Sequence, residues 1–218
     1  MNDDGLPVVT AGGPPEGEVT VAGVLLAAGR SRRFGDRNKL LAPLAGEPLV
    51  AHAAETLLAA PLSEVLVVVG HDADAIREAI SDRPVTVVEN LDYGEGQATS
   101  VRAGIGAIGG DADAAVFALS DMPVVAPETV GRLVAAYERG LGDALAAAND
   151  GRRGNPVLFD RRHFDSLRDV RGDVGGKEIL LEGSESALVE SDDPGVHRDV
   201  DTLPDLWELR EDRRSRPP

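Results

Sequence analysis

The chain has 218 residues, with 22 basic against 38 acidic side chains, a formal net charge of −16 and no cysteine. That length suits one domain with a sizeable core. The charge argues against nucleic acid and anionic membranes as partners, since both need cationic surface. The absent thiols exclude disulfides, thiolate-held iron–sulfur or zinc centres and cysteine nucleophiles, and they favour a cytoplasmic protein. The longest apolar stretch, residues 21–29, is too short to cross a bilayer, and the N-terminus lacks the basic flank and apolar core of a secretory signal. Lys39 and Lys177 are the sole lysines. An acidic, lysine-poor chain points to adaptation to high salt, so the net charge describes habitat rather than reaction.

Residues 1–18 combine Gly, Pro and acid without periodicity and are expected to form a disordered tail. The domain is expected over 19–213, with a short second tail at 214–218. Residues 20–28 are continuously apolar, as in a strand covered on both faces. A Gly- and Arg-rich loop follows to residue 38. Residues 47–60 read as a helix with Pro48 in its first turn, and 63–70 as a second buried strand. Residues 71–80 read as a helix capped by Asp72, 84–90 as a third strand, and 91–100 as a loop. The spacing of Val101, Ile105 and Ile108 predicts a helix over 100–109. A fourth strand over 113–121 ends in Asp121, and a helix follows over 127–140. Residues 143–150 and 155–160 are further strands. Two short helical patterns, apolar runs at 187–191 and 197–201, and a helix around Leu206 complete the chain. This alternation predicts a mostly parallel sheet with helices on both faces. Ligands of such sheets sit outside the carboxyl ends of the strands.

The strongest chemical signal lies at one such end. Between Arg30 and Lys39 stand five basic side chains and one acid, in a chain that is otherwise strongly anionic. Gly29, Ser31 and Gly35 let backbone approach a ligand, while Arg30, Arg33 and Lys39 suit phosphate oxygens. The loop reads as a polyphosphate cradle. It is not a Walker A loop, because Leu40 follows Lys39. The G-x-G-x-x-G string at Gly104, Gly106 and Gly109 lies late in a helical pattern with a strand after it. It therefore reads as chance or as close helix packing, not as a dinucleotide fingerprint.

Asp121 stands at a strand end before Pro123, where a carboxylate suits Mg²⁺ opposite phosphates or, equally, caps the next helix. Strand alternation would put Asp199 and Asp201 on one face, as a second metal ligand or as a solvent-facing edge. The polar loop before Ser100, with Gln97, would read a base edge or hold an anion. The Gly-rich segments at 151–156 and 172–177 fit one side of a cleft or ordinary turns. The four histidines lack metal-ligand spacing, and no G-x-S-x-G elbow offers a serine nucleophile.

Together these strings resemble the nucleotidyltransferases of the molybdenum cofactor family. LLAAGRSRRFGDRNKLL is similar to the family's signature loop, one residue longer between Gly35 and Lys39. SVRAG and LSDMP are similar to its next two motifs. GRRGNPVLF, GDVGGKEILL and DVDT look like the cytidylyltransferase branch. Lys177 replaces that branch's usual Arg, and Leu203 its usual Pro, with Pro204 one place later.

The resemblance implies a single-domain, three-layer α/β/α Rossmann-like nucleotidyltransferase (GT-A-like) fold. It implies transfer of CMP from CTP to a molybdopterin-type acceptor, with Mg²⁺ as cofactor and pyrophosphate as leaving group. On it, Arg33, Lys39 and Asp121 are catalytic. Leu26, Ala27, Ala28 and Gly29 line base and ribose by backbone contact, with Gln97 and Ser100 assisting the base side. Asp121 and Asp201 hold the metal, and Asn155 and Asp173 face the acceptor. A molybdoenzyme or its chaperone would be a further partner. Guanylyl or other nucleotidyl transfer to a molybdopterin, sugar phosphate or phospholactate stays open, as does a non-catalytic nucleotide-binding accessory role.

Overall fold

The structure is a computed structural model that describes residues 4–31, 33–35, 37–172 and 176–215. In chain order its elements are β1 (Val8–Val9), β2 (Val21–Ala27), β3 (Pro43–Leu44), β4 (Glu47–Pro48), α1 (Leu49–Leu58), β5 (Glu64–Val69) and α2 (Ala73–Ala79). There follow β6 (Thr86–Glu89), α3 (Gln97–Ala107), β7 (Ala114–Leu119), α4 (Pro127–Glu138), β8 (Ala144–Asn149) and β9 (Arg152–Asp160). The last elements are α5 (Phe164–Asp169), α6 (Lys177–Glu182), β10 (Ser186–Glu190) and α7 (Leu203–Ser215). Eight strands form one sheet in the order β1-β10-β8-β9-β7-β2-β5-β6, and β3 and β4 form a separate two-stranded ribbon.

Every pairing in the large sheet is parallel except those of β9, which runs antiparallel to both β7 and β8. All seven residues of β2 are buried, as a central strand covered on both faces requires. Alternation along it separates two cores. Val21, Leu25 and Ala27 face one layer, with Val50 and Leu57 of α1, Ile76 of α2 and Leu133 of α4. Ala22, Val24 and Leu26 face the other, with Val101 and Ile105 of α3, Leu167 of α5 and Leu180 of α6. The result is the three-layer α/β/α architecture. Gly104 lets α3 press on β2: a Cβ there would lie 2.6 Å from Val24 Cγ1. Close helix packing thus accounts for the first glycine of that string.

Several elements depart from the sequence reading. The segment expected as a disordered tail instead supplies β1, in parallel register with β10. Ala11 is buried, and Glu138 accepts from the backbone N–H groups of Glu16 and Glu18. These partners lie more than a hundred residues away, beyond the reach of local composition. At the other end α7 runs on to Ser215, past the expected boundary. α3 begins at Gln97 rather than Ser100, and β9 starts at Arg152 because β8 pairs with it there. Asp72 holds the N-cap position of α2 but is left-handed (φ 55°) and makes no side-chain cap bond. Pro48 precedes α1 as its N-cap rather than lying in its first turn. Residues 198–201 form no strand, so strand alternation does not place Asp199 and Asp201. Among the described residues, no helix is long and apolar enough to cross a membrane.

Candidate active site

The site is built at the carboxyl ends of β2 and β7, where the sheet delivers two loops side by side. The loop after β2 is stitched together from within. Ser31, held left-handed at φ 50°, donates from its hydroxyl to Asn38 Oδ1 (3.1 Å) and accepts from the backbone N–H of Lys39 (3.2 Å). Asn38 is buried, and its Oδ1 also accepts from Leu40 N, capping the 3-10 turn over Lys39–Leu41. A strained serine and a buried asparagine therefore fix where Lys39 starts. Such backbone strain persists only where surrounding bonds over-determine it.

A third, small core fixes the other side. Phe34 of the loop packs with Leu44 and Leu49 and with Val200, Leu206 and Leu209. Val200 N donates to Asp121 O at 2.8 Å, which ties the stretch before α7 to the end of β7. Thr202 and Asp205 start α7 as a reciprocal cap: Asp205 accepts from Asp201 N and Thr202 N, and Thr202 Oγ1 accepts from Asp205 N. Phe34 and Val200 thus bury together, and their neighbours Arg33 and Asp201 are brought face to face.

Lys39 Nζ donates to Asp121 Oδ2 at 2.6 Å and to Asp201 Oδ1 at 2.7 Å. Arg33 Nη1 lies 2.7 Å from the other oxygen of Asp201. Burial works against the Lys39 charge, but the two carboxylates outweigh it, so its pKa is raised above the ordinary lysine value. Asp121 Oδ1 is buried and accepts no hydrogen bond from the described residues. Two carboxylates converging on one ammonium, one with an orphaned oxygen, form a hard-oxygen donor set. It fits a small divalent cation that takes its remaining ligands from phosphate and water. Among the described residues no cluster of three or more His, Cys, Asp or Glu side chains could hold a metal by protein groups alone.

These groups rim a cleft of about 620 Å³. Leu26, Ala28, Gly29, Arg30, Ser31, Arg33, Lys39, Gln97, Ser100, Asp121 and Asp201 all line it. Ala27 is not among them; its side chain is fully buried in the helical layer, which leaves only its backbone for the contact expected of it. Gly35 lies outside the lining, on the exposed turn of the loop at φ 84°. Asn155 lines a neighbouring cavity, and Asp173 lies outside the described residues.

The sequence reading missed Tyr93 and Glu95, which close the cleft from the far side. The Arg30 guanidinium stacks 5.3 Å above the Tyr93 ring centroid, bridging the two loops. Gly70 makes room for Tyr93, since a Cβ there would fall 2.7 Å from Tyr93 Cβ. A glycine at the end of a strand is the sole signal the sequence carried for this contact. Asn90 holds the same loop to α3, donating from Nδ2 to Thr99 Oγ1 and Ser100 Oγ.

A family model described as "MobA-like NTP transferase domain" matches residues 23–187. Nicotine blue oxidoreductase of Paenarthrobacter nicotinovorans is 32% identical over 216 residues, covering 96% of this chain and 100% of that protein. Among solved structures, Rv0371c of Mycobacterium tuberculosis superposes with a TM-score of 0.79 at 28% identity, over 88% of this chain and 98% of that one. A structure of the same protein in complex with manganese gives 0.76 at 26% identity, over 88% and 98%. A nucleotidyl transferase from Methanothermobacter gives 0.75 at 27% identity, over 90% and 99%. The family match takes in β2 from Gly23 onward, the cationic loop, β7 and every wall of the cleft but Asp201, and the chain belongs to the MobA-like NTP transferases, a family of nucleotidyltransferases.

Proposed function

We propose that the chain transfers CMP from CTP to a molybdopterin-type acceptor, with Mg²⁺ at the junction of donor and acceptor. The observation that carries the reading is the Lys39 ammonium held between Asp121 and Asp201 at the lip of the nucleotide cleft. An acceptor phosphate oxygen attacks the α-phosphorus in line. The bond from that phosphorus to the bridging oxygen breaks, and pyrophosphate leaves with the electron pair. Two anions must meet, so positioning and charge neutralisation carry most of the rate. Arg33 and Lys39 would turn from the carboxylates to the triphosphate and the leaving group. Asp121 and Asp201, freed of them, would hold the divalent ion, which supplies Lewis-acid stabilisation of the phosphoryl oxygens when bound. The Mycobacterium relative solved with manganese supports a divalent ion on this scaffold. Leu26, Ala28 and Gly29 would support base and ribose, Gln97 and Ser100 the base edge, and Asn155 with Asp173 the acceptor.

The test is pyrophosphate release from CTP, GTP, ATP and UTP with molybdopterin, sugar-phosphate and phospholactate acceptors, in Mg²⁺ and in EDTA. Release with CTP and molybdopterin, abolished by EDTA, is the expected result. Preference for another nucleotide or acceptor replaces that assignment, and nucleotide binding without turnover replaces catalysis with an accessory role. The full-length likeness to nicotine blue oxidoreductase favours a second reading, a redox step on the same nucleotide-holding scaffold. Redox turnover of nicotine blue by this chain, with no pyrophosphate from any nucleotide, would favour it.

A further inference from the structure

The cations that line the cleft are held in two different ways. Lys39 and Arg33 each lie within 2.7 Å of a carboxylate, so a ligand must displace an ion pair to reach them. Arg30 has no acid within ion-pair distance among the described residues, although Glu95 lines the same cleft. Its exposed guanidinium rests instead on the face of Tyr93, 5.3 Å from the ring centroid. Arg30 Nη2 also fills the place where a Gly94 side chain would begin, since a Cβ there would lie 2.5 Å from it. Stacking engages the face of a guanidinium, whereas its five N–H donors lie in the plane and stay open to an anion.

Tyr93 is firmly rooted. A Cβ on Gly70 would lie 2.7 Å from Tyr93 Cβ and 2.9 Å from Ala28 Cβ, so the ring's base packs on bare backbone. The His71 ring centroid stands 6.1 Å from that of Tyr93. The turn before Tyr93 is clipped to α3 through the buried Asn90, whose Oδ1 accepts from Asp92 N at 3.0 Å while its Nδ2 donates to Thr99 and Ser100. A ring with a fixed root thus steadies a long, rotamer-rich side chain that starts from the opposite wall. Holding such a side chain beforehand lowers the ordering cost that a ligand would otherwise meet.

We propose that Tyr93 is a positioning residue: it holds the Arg30 guanidinium across the cleft as a preformed contact for the polyphosphate, and Gly94 leaves the room for it. This rests on reading the cleft as the nucleotide's place, but on no choice of base or acceptor. The probes are inorganic tripolyphosphate and CTP, titrated by calorimetry into the full chain in EDTA, with thermal melting to confirm that each variant folds. Arg30→Gln is expected to weaken both by about tenfold or more, as loss of a charge-assisted contact predicts. Tyr93→Leu should weaken both by about two- to fivefold, the range of an exposed cation–π contact. Tyr93→Phe keeps the ring and should bind as wild type does. Gly94 does not have a positive φ, so Gly94→Ala adds no backbone strain and should displace only the flexible end of Arg30, matching Tyr93→Leu. In an Arg30→Gln background Tyr93→Leu and Gly94→Ala should both be silent, because each acts through the arginine.

Tripolyphosphate that fails to bind the wild-type chain overturns the proposal. So does a Tyr93→Leu variant that loses affinity for CTP but not for tripolyphosphate, which would set the ring against the base itself. Effects of Tyr93→Leu and Gly94→Ala that persist at full size without Arg30 overturn it as well. A chain that behaves as stated toward tripolyphosphate yet releases no pyrophosphate from any nucleotide refutes the transfer reading and keeps the Arg30–Tyr93 contact. Transfer with tripolyphosphate binding indifferent to both residues refutes the contact alone.

Discussion

Two clusters of cations and carboxylates stand near opposite ends of the sheet, and their chemistry is alike on paper. At the lip of the cleft, Lys39 and Arg33 face Asp121 and Asp201. At the other end, Arg162 lies within ion-pair distance of Asp143, Asp160 and Glu185, and His163 Nε2 lies 3.1 Å from Asp143 Oδ1. The difference is what surrounds them. Asp160 is used up: it accepts from the Tyr137 hydroxyl and from Arg162 N, and it faces the Arg162 guanidinium. Asp121 borders open volume, and one of its oxygens is buried without a partner among the described residues. Asp143 Oδ1 and His163 Nε2 are likewise buried without a hydrogen-bond partner among the described residues, but they lie 3.1 Å from each other and do not line the cleft. What sets Asp121 apart is its place on open volume, where capacity is left for a ligand.

Asp121→Ala is the strongest test of that contrast. Nucleotidyl transfer should fall by on the order of 10³-fold, while the melting temperature stays close to wild type. Near-normal turnover in Mg²⁺ would make the two clusters equivalent and remove the metal assignment. Lys39→Ala comes next, with a loss of about 10²-fold in rate and a smaller loss of stability, since the side chain extends from a surface loop. Pyrophosphate release set against thermal melting separates the two effects.

The opposite cluster should respond in the opposite way. Asp160→Asn is expected to leave kcat and KM unchanged and to cost about 1–2 kcal/mol, read as a fall of several degrees in Tm. A matching loss of activity would break the comparison. The smallest effect is its pH dependence. Burial opposes the Asp160 charge, but the Arg162 backbone N–H, the Tyr137 hydroxyl and the Arg162 guanidinium prevail and hold its pKa below the usual carboxylate value. A depressed carboxylate stabilises the fold above its unfolded pKa, and this contribution is lost as pH falls through the folded value. The stability gap between wild type and Asp160→Asn should therefore be full near neutral pH and close below about pH 4, measured by denaturant unfolding.

Much of the cleft was legible before folding because its signals are local. Five basic residues within ten positions after a buried strand, an Asp at the end of another, and a Gln and Ser opening a helix are all short-range patterns. Tyr93 was not legible, since its place depends on Arg30 stacking across the cleft and on the room Gly70 leaves.

The amino-acid order by itself determined the alternation of strand and helix, the sign reversal in one loop of an anionic chain, and the carboxylate delivered to a strand end. Each is a property of neighbours in the chain, set by periodicity and charge. Only the tertiary structure decided that Lys39 meets Asp121 and Asp201, 82 and 162 positions away, and that residues 8 and 9 pair with β10. It also decided that β9 runs against its neighbours. These contacts depend on burying Phe34 with Val200 and on filling a sheet edge. Such gains exist only when distant segments leave water together, so no window of sequence contains them.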